Sequence, residues 1–514
     1  MIEEERDLTI GQALDLAYEL FTAERYPEAV GLLRGVLKHE PENFEALNRL
    51  GAVLTNQKKL HEALYCFWRA LKINRRSPLA LSNYGMVLGE LGHHEESAAA
   101  LNKAVYLDPH NGITWNNIGN TLERIGRYQE ALTALDKALA INPKDAMSHC
   151  NRGVVLQRLN RRHEAIESFE MCLSLDANYA DAYYNRGCAL LALGKFEQGW
   201  SDYEWRLKTA ETAHYYAGPF EQPQWTGTEP LEGKTILVYA EQGIGDAIQF
   251  MRYIDMLLDC GAHLLMVVHK HMVSLFEPQE RLTVLPGGHV FPPFDYWSPL
   301  LSLPKCFGTK LDNIPPPWFP HSVKTCSKCD YWYDLIAPAL KPGRKPRVGV
   351  CWAGNWQHKN DRHRSIPLEQ FARGIFSIPN VDFFSLQQVR PNERELFEHL
   401  NHHIVDLEPE LHDFNDTAHA INRLDLVISV DTSVAHLAAT LCAKTWILLP
   451  EFGTDWRWLL GRETSPWYPA ARLFRQPKIG DWNSVLQRVK KELKVMKISN
   501  VEQTARYSEF AARV

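Results

Sequence analysis

The chain has 514 residues, 45% of them hydrophobic and 23% charged, a composition ordinary for globular proteins and a length that predicts about three domains. Its net charge of -6 and sequence pI of about 6.4 exclude the global basic field that draws nucleic acid or an anionic membrane, so partners are sought locally. No uninterrupted apolar run reaches membrane-span length, and Met1 to Asp7 is acidic without an apolar stretch of the secretory kind, so the protein is read as soluble and cytoplasmic.

Residues about 10 to 210 carry a period of 34. Small residues recur at Ala17, Gly51, Gly85, Gly119, Gly153 and Gly187, and a second small set follows at Ala29, Ala63, Ser97, Ala131, Ala165 and Gly199. Large apolar residues come four positions later, at Leu33, Phe67, Leu101, Leu135, Phe169 and Tyr203, and prolines close units at Pro41, Pro109 and Pro143. This pattern resembles the tetratricopeptide repeat (TPR), two antiparallel helices per unit, and gives six units stacked into a superhelix with a concave face. The small positions let paired helices approach, and the large ones fill the seam. A further column, Asn83, Asn117, Asn151 and Asn185, falls two positions before the small residue of the first helix. An amide both donates and accepts, so the column can hold an extended peptide backbone regardless of its sequence. It resembles the asparagine ladder of O-GlcNAc transferase, although Asn is also simply frequent at this position. Asp15 and Arg49 occupy the column in the first two units.

Residues about 207 to 232 are rich in Pro, Gly, Gln and Thr and read as a linker. Lys234 to Ala240 then reads as a strand, Ala247 to Cys260 as a helix and Leu264 to Val268 as a second strand, a βαβ unit. Gly243 and Gly245 in the intervening turn invite a dinucleotide reading, but Ile248 stands where the third glycine belongs, and His269-Lys270-His271 replaces the ribose-binding acid. The glycine turn instead brings backbone close to a ligand and aims Asp246 out of the strand's carboxyl end, as a general base or as a plain helix cap. From about 286 to 346 the chain is Pro-rich and reads as a hinge.

Ten cysteines lie scattered without the spacing of a disulfide scaffold. Cys326-Ser327-Lys328-Cys329 is a lone CxxC, with His321 and Cys306 as conceivable further zinc ligands, or else four ordinary loop residues.

Arg347 to Trp352 reads as a strand, followed by a loop holding Lys359, Arg362 and Arg364; Arg364 either neutralises phosphate or belongs to a solvated basic loop. Further strands are expected at Val381 to Leu386 and Thr445 to Leu449. Asp425 to Ala439 runs from a buried parallel strand through Asp431-Thr432-Ser433 into an Ala-rich helix. The amides of Thr432, Ser433 and Val434 then form a site for a diphosphate, unless Thr432 or Ser433 merely caps the first turn. Asp455-Trp456-Arg457-Trp458 and Trp467-Tyr468 fall on later loops, lining a cleft or filling the core.

Glu241 to Tyr253, Trp352 to Pro367, Asp425 to Leu437 and Asp455 to Leu460 closely resemble, in this order, bacterial proteins that join tetratricopeptide repeats to a heptosyltransferase-like GT-B glycosyltransferase. The resemblance implies an α-helical TPR superhelix (10–210), a linker (211–231), an acceptor-side Rossmann-like lobe (232–340), a nucleotide-sugar lobe (346–495) and a tail (496–514). It implies that Asp246 is the base and that Gly245, Trp352, Gly354, Asn355, Arg364, Gln387, Asp431, Thr432, Ser433 and His436 bind the donor. The acceptor peptide is expected on the Asn column. Thr440-Leu441-Cys442-Ala443 departs from the glycine usual after that helix. The activity implied is inverting transfer of a sugar from a nucleotide-sugar to a protein hydroxyl, for example of a surface or flagellar protein. No cofactor or metal is expected, since no Asp-x-Asp occurs. Transfer to a lipid-linked saccharide, or an inactive TPR scaffold, are the alternatives.

Overall fold

From Ile10 to Leu175 the chain alternates helices of 13 and 14 residues, beginning with α1 (Ile10–Thr22) and α2 (Tyr26–His39) and ending with α9 (Ala146–Arg158) and α10 (Arg162–Leu175). Two sequence columns unnoticed in the period explain how the pairs begin and turn. Asn43, Ser77, Asn111 and Asp145 each accept an N–H from three residues on, capping the first helix of a pair. Within the pairs, Glu24, Lys58, Gly92, Gly126, Asn160 and Gly194 all have positive φ, the left-handed step that reverses the chain.

The expected close approach is direct. A Cβ on Gly51, Gly85, Gly119 or Gly153 would lie 2.7, 2.7, 2.6 or 2.5 Å from the side chain of Phe67, Leu101, Leu135 or Phe169. Gly119→Ala should therefore lower stability by about 1–3 kcal/mol through overpacking, despite the better helix propensity of alanine. Gly31→Ala, on an exposed helix face with nothing within 4 Å, should raise it by about 0.5–1 kcal/mol. Urea unfolding of the two variants reads the opposite signs.

The computed structural model describes residues 8–209, 220–320, 328–336, 345–358 and 360–496. The chain divides into two units, Met1–Ala182 and Tyr183–Val514. The sixth helical pair, α11 (Ala180–Ala192) and α12 (Phe196–Tyr203), thus falls almost wholly in the second unit, where the sequence pattern drew its boundary near 210.

The second unit contains two parallel sheets flanked by helices. The first has the order β3 (Leu282–Pro286), β2 (His263–Val268), β1 (Thr235–Tyr239), β4 (Tyr296–Pro299). The second has the order β10 (Ala471–Arg475), β9 (Thr445–Leu449), β8 (Leu426–Val430), β5 (Arg347–Cys351), β6 (Asp382–Ser385), β7 (Ile404–Asp406). In each sheet the chain starts at an interior strand, β1 or β5, winds outward to one side, then returns to the other at β4 or β8. The order reverses there, and open α/β sheets bind ligands beyond the carboxyl ends of the strands at such a reversal.

One hydrophobic core joins α12, the first sheet and one face of the second, through Phe196, Trp200, Ile236, Phe250, Val427 and Trp456. Another fills the opposite face of the second sheet around Val348, Trp352, Phe371 and Trp482. The stretch expected to be a hinge corrects the sequence reading: it supplies β4, which pairs with β1 from Ile236↔Tyr296 to Tyr239↔Pro299. Its prolines flank a strand too short to show periodicity.

Candidate active site at the two strand switch points

The turn after β1 and the turn after β8 meet. A Cβ built on Gly245 would lie 2.8 Å from the His436 ring, so only glycine permits this approach. Gly245 and Asp246 open the helix Ile244–Phe250, and His436 lies on the helix Ser433–Thr440. Asp246 is not the N-cap residue, which is Gly243, but it takes part in capping from the third position: its Oδ2 accepts the Gly243 N–H at 2.8 Å. Its Oδ1 pairs with the guanidinium of Arg457, which also holds Asp455 Oδ1 at 2.8 Å. Arg457 is buried: desolvation works against its charge, but Asp246 and Asp455 raise its pKa well above the ordinary value.

Thr432 does not cap the helix Ser433–Thr440 with its side chain. Its hydroxyl instead lies 2.9 Å from Ser429 Oγ, which leaves the first-turn amides without a side-chain acceptor among the described residues. Negative charge is favoured at such a terminus. Arg364 lies alongside: Nη1 donates to Asp431 O at 3.2 Å, and a Cβ on Gly354 would stand 2.5 Å from Nη2. The Arg364 guanidinium thus lies flat on the Gly354 backbone at the edge of the turn. Asp431 Oδ2 accepts from Trp458 Nε1 at 2.9 Å, and Oδ1 is 3.5 Å from His436 Nε2. Burial opposes the Asp431 charge, yet the His436 and Trp458 contacts and Arg364 hold its carboxyl below the usual range.

Several residues expected at the donor have partners within the protein. The Trp352 side chain is fully buried in the core, its indole donating to Glu393 Oε2 at 3.3 Å. Gln387 is buried too; its Oε1 accepts from Ala353 N at 2.9 Å and its Nε2 donates to Gln388 O at 2.9 Å, which fixes the end of β5. His436 is 5% exposed, with Nδ1 2.9 Å from the Tyr468 hydroxyl, and acts as a strut between Tyr468, Asp431 and Gly245. Asn355 is exposed and its Oδ1 accepts from Gln357 N at 3.0 Å. Ser433 is half-buried at the head of its helix. Arg362 is exposed, its Nε 3.0 Å from His363 Nε2, and Lys359 lies outside the described residues.

Sequence reasoning missed the groups that fix this arrangement. Asp361 accepts from Ser365 Oγ at 2.6 Å and from Arg390 Nη2 at 2.5 Å, which sets the loop carrying Arg364. His358 is exposed, yet partial burial of its ring and then Arg364 lower its pKa, against Asp431, Asp361 and Asp246. The tryptophan-rich stretch 455–458, read as cleft or core, supplies the Asp246 and Asp431 partners Arg457 and Trp458.

On the repeats, Asn83 Nδ2 donates to Asn48 Oδ1 at 3.3 Å and Asn151 Nδ2 to Asn116 Oδ1 at 2.8 Å. Part of the Asn column is thereby spent between neighbouring units, which the sequence reading did not allow for. Asn117 and Asn185 are half-buried. Of the conceivable zinc ligands, His321, Cys326 and the side chain of Cys329 lie outside the described residues. The Cys306 thiol contacts Trp225 O at 3.6 Å, and burial pushes its pKa up to about 12.

Family models of the tetratricopeptide repeat match residues 14–78, 79–111 and 110–178. Among curated proteins, Protein FlbA of Caulobacter vibrioides is 26% identical over 330 residues, which cover 58% of this chain and 52% of that protein. The chain thus spans about half the length of that relative. Among solved structures, MamA from Desulfovibrio magneticus RS-1 matches with TM-score 0.29 and 20% identity over 33% of this chain and 95% of that one. PilW, a type IV pilus biogenesis factor, matches with TM-score 0.37 and 22% identity over 40% of this chain and 96% of that one. The N-terminal part of the chain is built of tetratricopeptide repeats, followed by a region of parallel sheets flanked by helices. Repeats of this kind offer an extended surface to protein partners. Among the described residues no helix is long and apolar enough to cross a membrane.

Proposed function

We propose that the second unit is a GT-B glycosyltransferase that moves a sugar, with inversion and without a metal, from a nucleotide-sugar to a hydroxyl of a protein held by the repeats. The observation that carries this reading is the contact of the two switch-point turns, Gly245 against His436. It brings a carboxylate from one sheet close to an uncapped helix terminus and an arginine from the other. In the proposed reaction the acceptor oxygen attacks the anomeric carbon while the bond from that carbon to the diphosphate breaks. The hydroxyl proton passes to Asp246, and the leaving nucleoside diphosphate is stabilised by the amides of the Ser433 turn and by Arg364. Repeats and catalytic unit in one chain raise the local concentration of a tethered protein substrate. The tetratricopeptide repeats, which present an extended surface to protein partners, favour a protein acceptor.

Thermal-shift screening against UDP, GDP, CDP and ADP sugars tests the donor. A sugar nucleotide at a hundred times its Kd should stabilise the protein by about 2.7 kcal/mol; no shift with any of them favours a scaffold. Intact masses of co-expressed candidate proteins then test the acceptor, an added sugar mass supporting a protein and an unchanged mass with nucleotide binding pointing to a lipid-linked saccharide. Transfer should persist in excess EDTA, and strict dependence on added manganese would contradict the proposed mechanism.

A further inference from the structure

We propose that α12 and the turn after it form the rear wall of the Asp246 turn, with Tyr203 and Arg206 as positioning residues for the transfer step. The catalytic part of this inference rests on the function proposed above; the positioning part does not. Between the end of β1 and Gly243 stand Ala240, Glu241 and Gln242, and the segment 203–206 holds the last two. Gln242 Nε2 donates to the Tyr203 hydroxyl at 3.2 Å. Gln242 has φ +65°, a left-handed conformation unusual for a residue with a side chain. Arg206, 1% exposed, donates to Glu241 Oε1 at 2.8 Å, Glu204 Oε1 at 2.6 Å and Ser302 Oγ at 2.8 Å. Glu241 also accepts the Leu301 N–H at 3.2 Å, which ties the turn to the element following β4.

The next residue, Gly243, supplies the N–H that orients Asp246. The other Asp246 partner is reached from the same helix. Trp200 and Tyr203 pack on Trp456, with ring centroids 5.3 and 5.9 Å apart, and Trp456 stands next to Arg457. Both groups that orient the carboxylate are therefore backed by the last helix of the repeat array. A turn with glycine at 243 and 245 has little stiffness of its own, and a reacting group displaced by about 1 Å loses on the order of a hundredfold in rate. A helix that served only to dock a partner would not require a buried cation and a buried phenol beneath that turn.

Tyr203→Phe tests the inference, because it removes one hydroxyl and keeps the ring packing. The amides of Gly243 to Asp246 should exchange with deuterium about tenfold faster than in the wild type, those of β1 at the same rate. kcat should fall about tenfold, donor affinity and Tm staying close to wild type. Arg206→Lys keeps the charge without the two-pronged geometry and should reproduce the loss of kcat at unchanged donor affinity. Wild-type exchange in the turn together with wild-type turnover in Tyr203→Phe would overturn the inference. Faster exchange in a protein whose wild type transfers no sugar would leave the positioning intact and remove the reaction proposed for the site.

Discussion

Asp246→Asn is expected to lower sugar transfer by about 10²- to 10⁴-fold while donor affinity stays within a factor of two. The substitution keeps the shape of the side chain and an oxygen able to accept the Gly243 N–H, which the carboxylate holds at 2.8 Å. It removes the basic oxygen that would take the acceptor proton. It also removes one of two carboxylates around the buried Arg457, leaving Asp455 at 2.8 Å as the remaining partner. A loss of about 1–3 kcal/mol in stability should accompany the kinetic effect. Initial rates at saturating donor, donor titration by calorimetry and urea unfolding separate the three consequences. Normal turnover with reduced stability would exclude Asp246 as the base and make it a partner of Arg457 and a brace for the Gly243 turn.

Residues that had to be small, or had to end a strand, were legible from sequence because backbone geometry dictates them. Gly119 and Leu135 stand in the relation their spacing required, and β9 spans Thr445–Leu449, the expected range. The Asp431 turn follows a strand buried along its whole length, as its apolar run required. Long-range side-chain partnerships left no such trace. Nothing local in the sequence pairs Asp246 with Arg457, 211 positions later, or shows that the Trp352 side chain turns into the core. The buried fate of Gln387 and His436 likewise depends on neighbours from other elements. The boundary near 210 was drawn where the repeat pattern fades, but repetition reports how a segment arose and pairs internally. It does not report that Trp200 and Tyr203 have a second set of neighbours in Phe250 and Trp456.

That second set of neighbours yields the largest expected loss of stability. Arg206→Met should destabilise the protein by about 3–5 kcal/mol, the usual result of removing one partner from a buried ion pair. Arg206 carries its charge despite desolvation because Glu204 and Glu241 surround it and raise its pKa. Methionine fills much of the same volume but strands Glu241, which is buried and is left with backbone N–H groups, its own and that of Leu301, in place of a cation. Burial already pushes the Glu241 carboxyl up, and without Arg206 nothing comparable opposes that push. The folded variant then binds a proton that the unfolded chain releases at lower pH, so its stability declines as pH rises above the ordinary glutamate range. The deficit relative to wild type should be smaller at pH 5 than at pH 8. Adding Glu241→Gln removes the stranded charge, and the double variant should recover at least half of the loss and show no such pH dependence. Urea unfolding of both variants at the two pH values measures this. Equal deficits at both pH values, or a double variant no better than Arg206→Met, would mean that Arg206 acts through packing and not through its charge on the Glu241 turn.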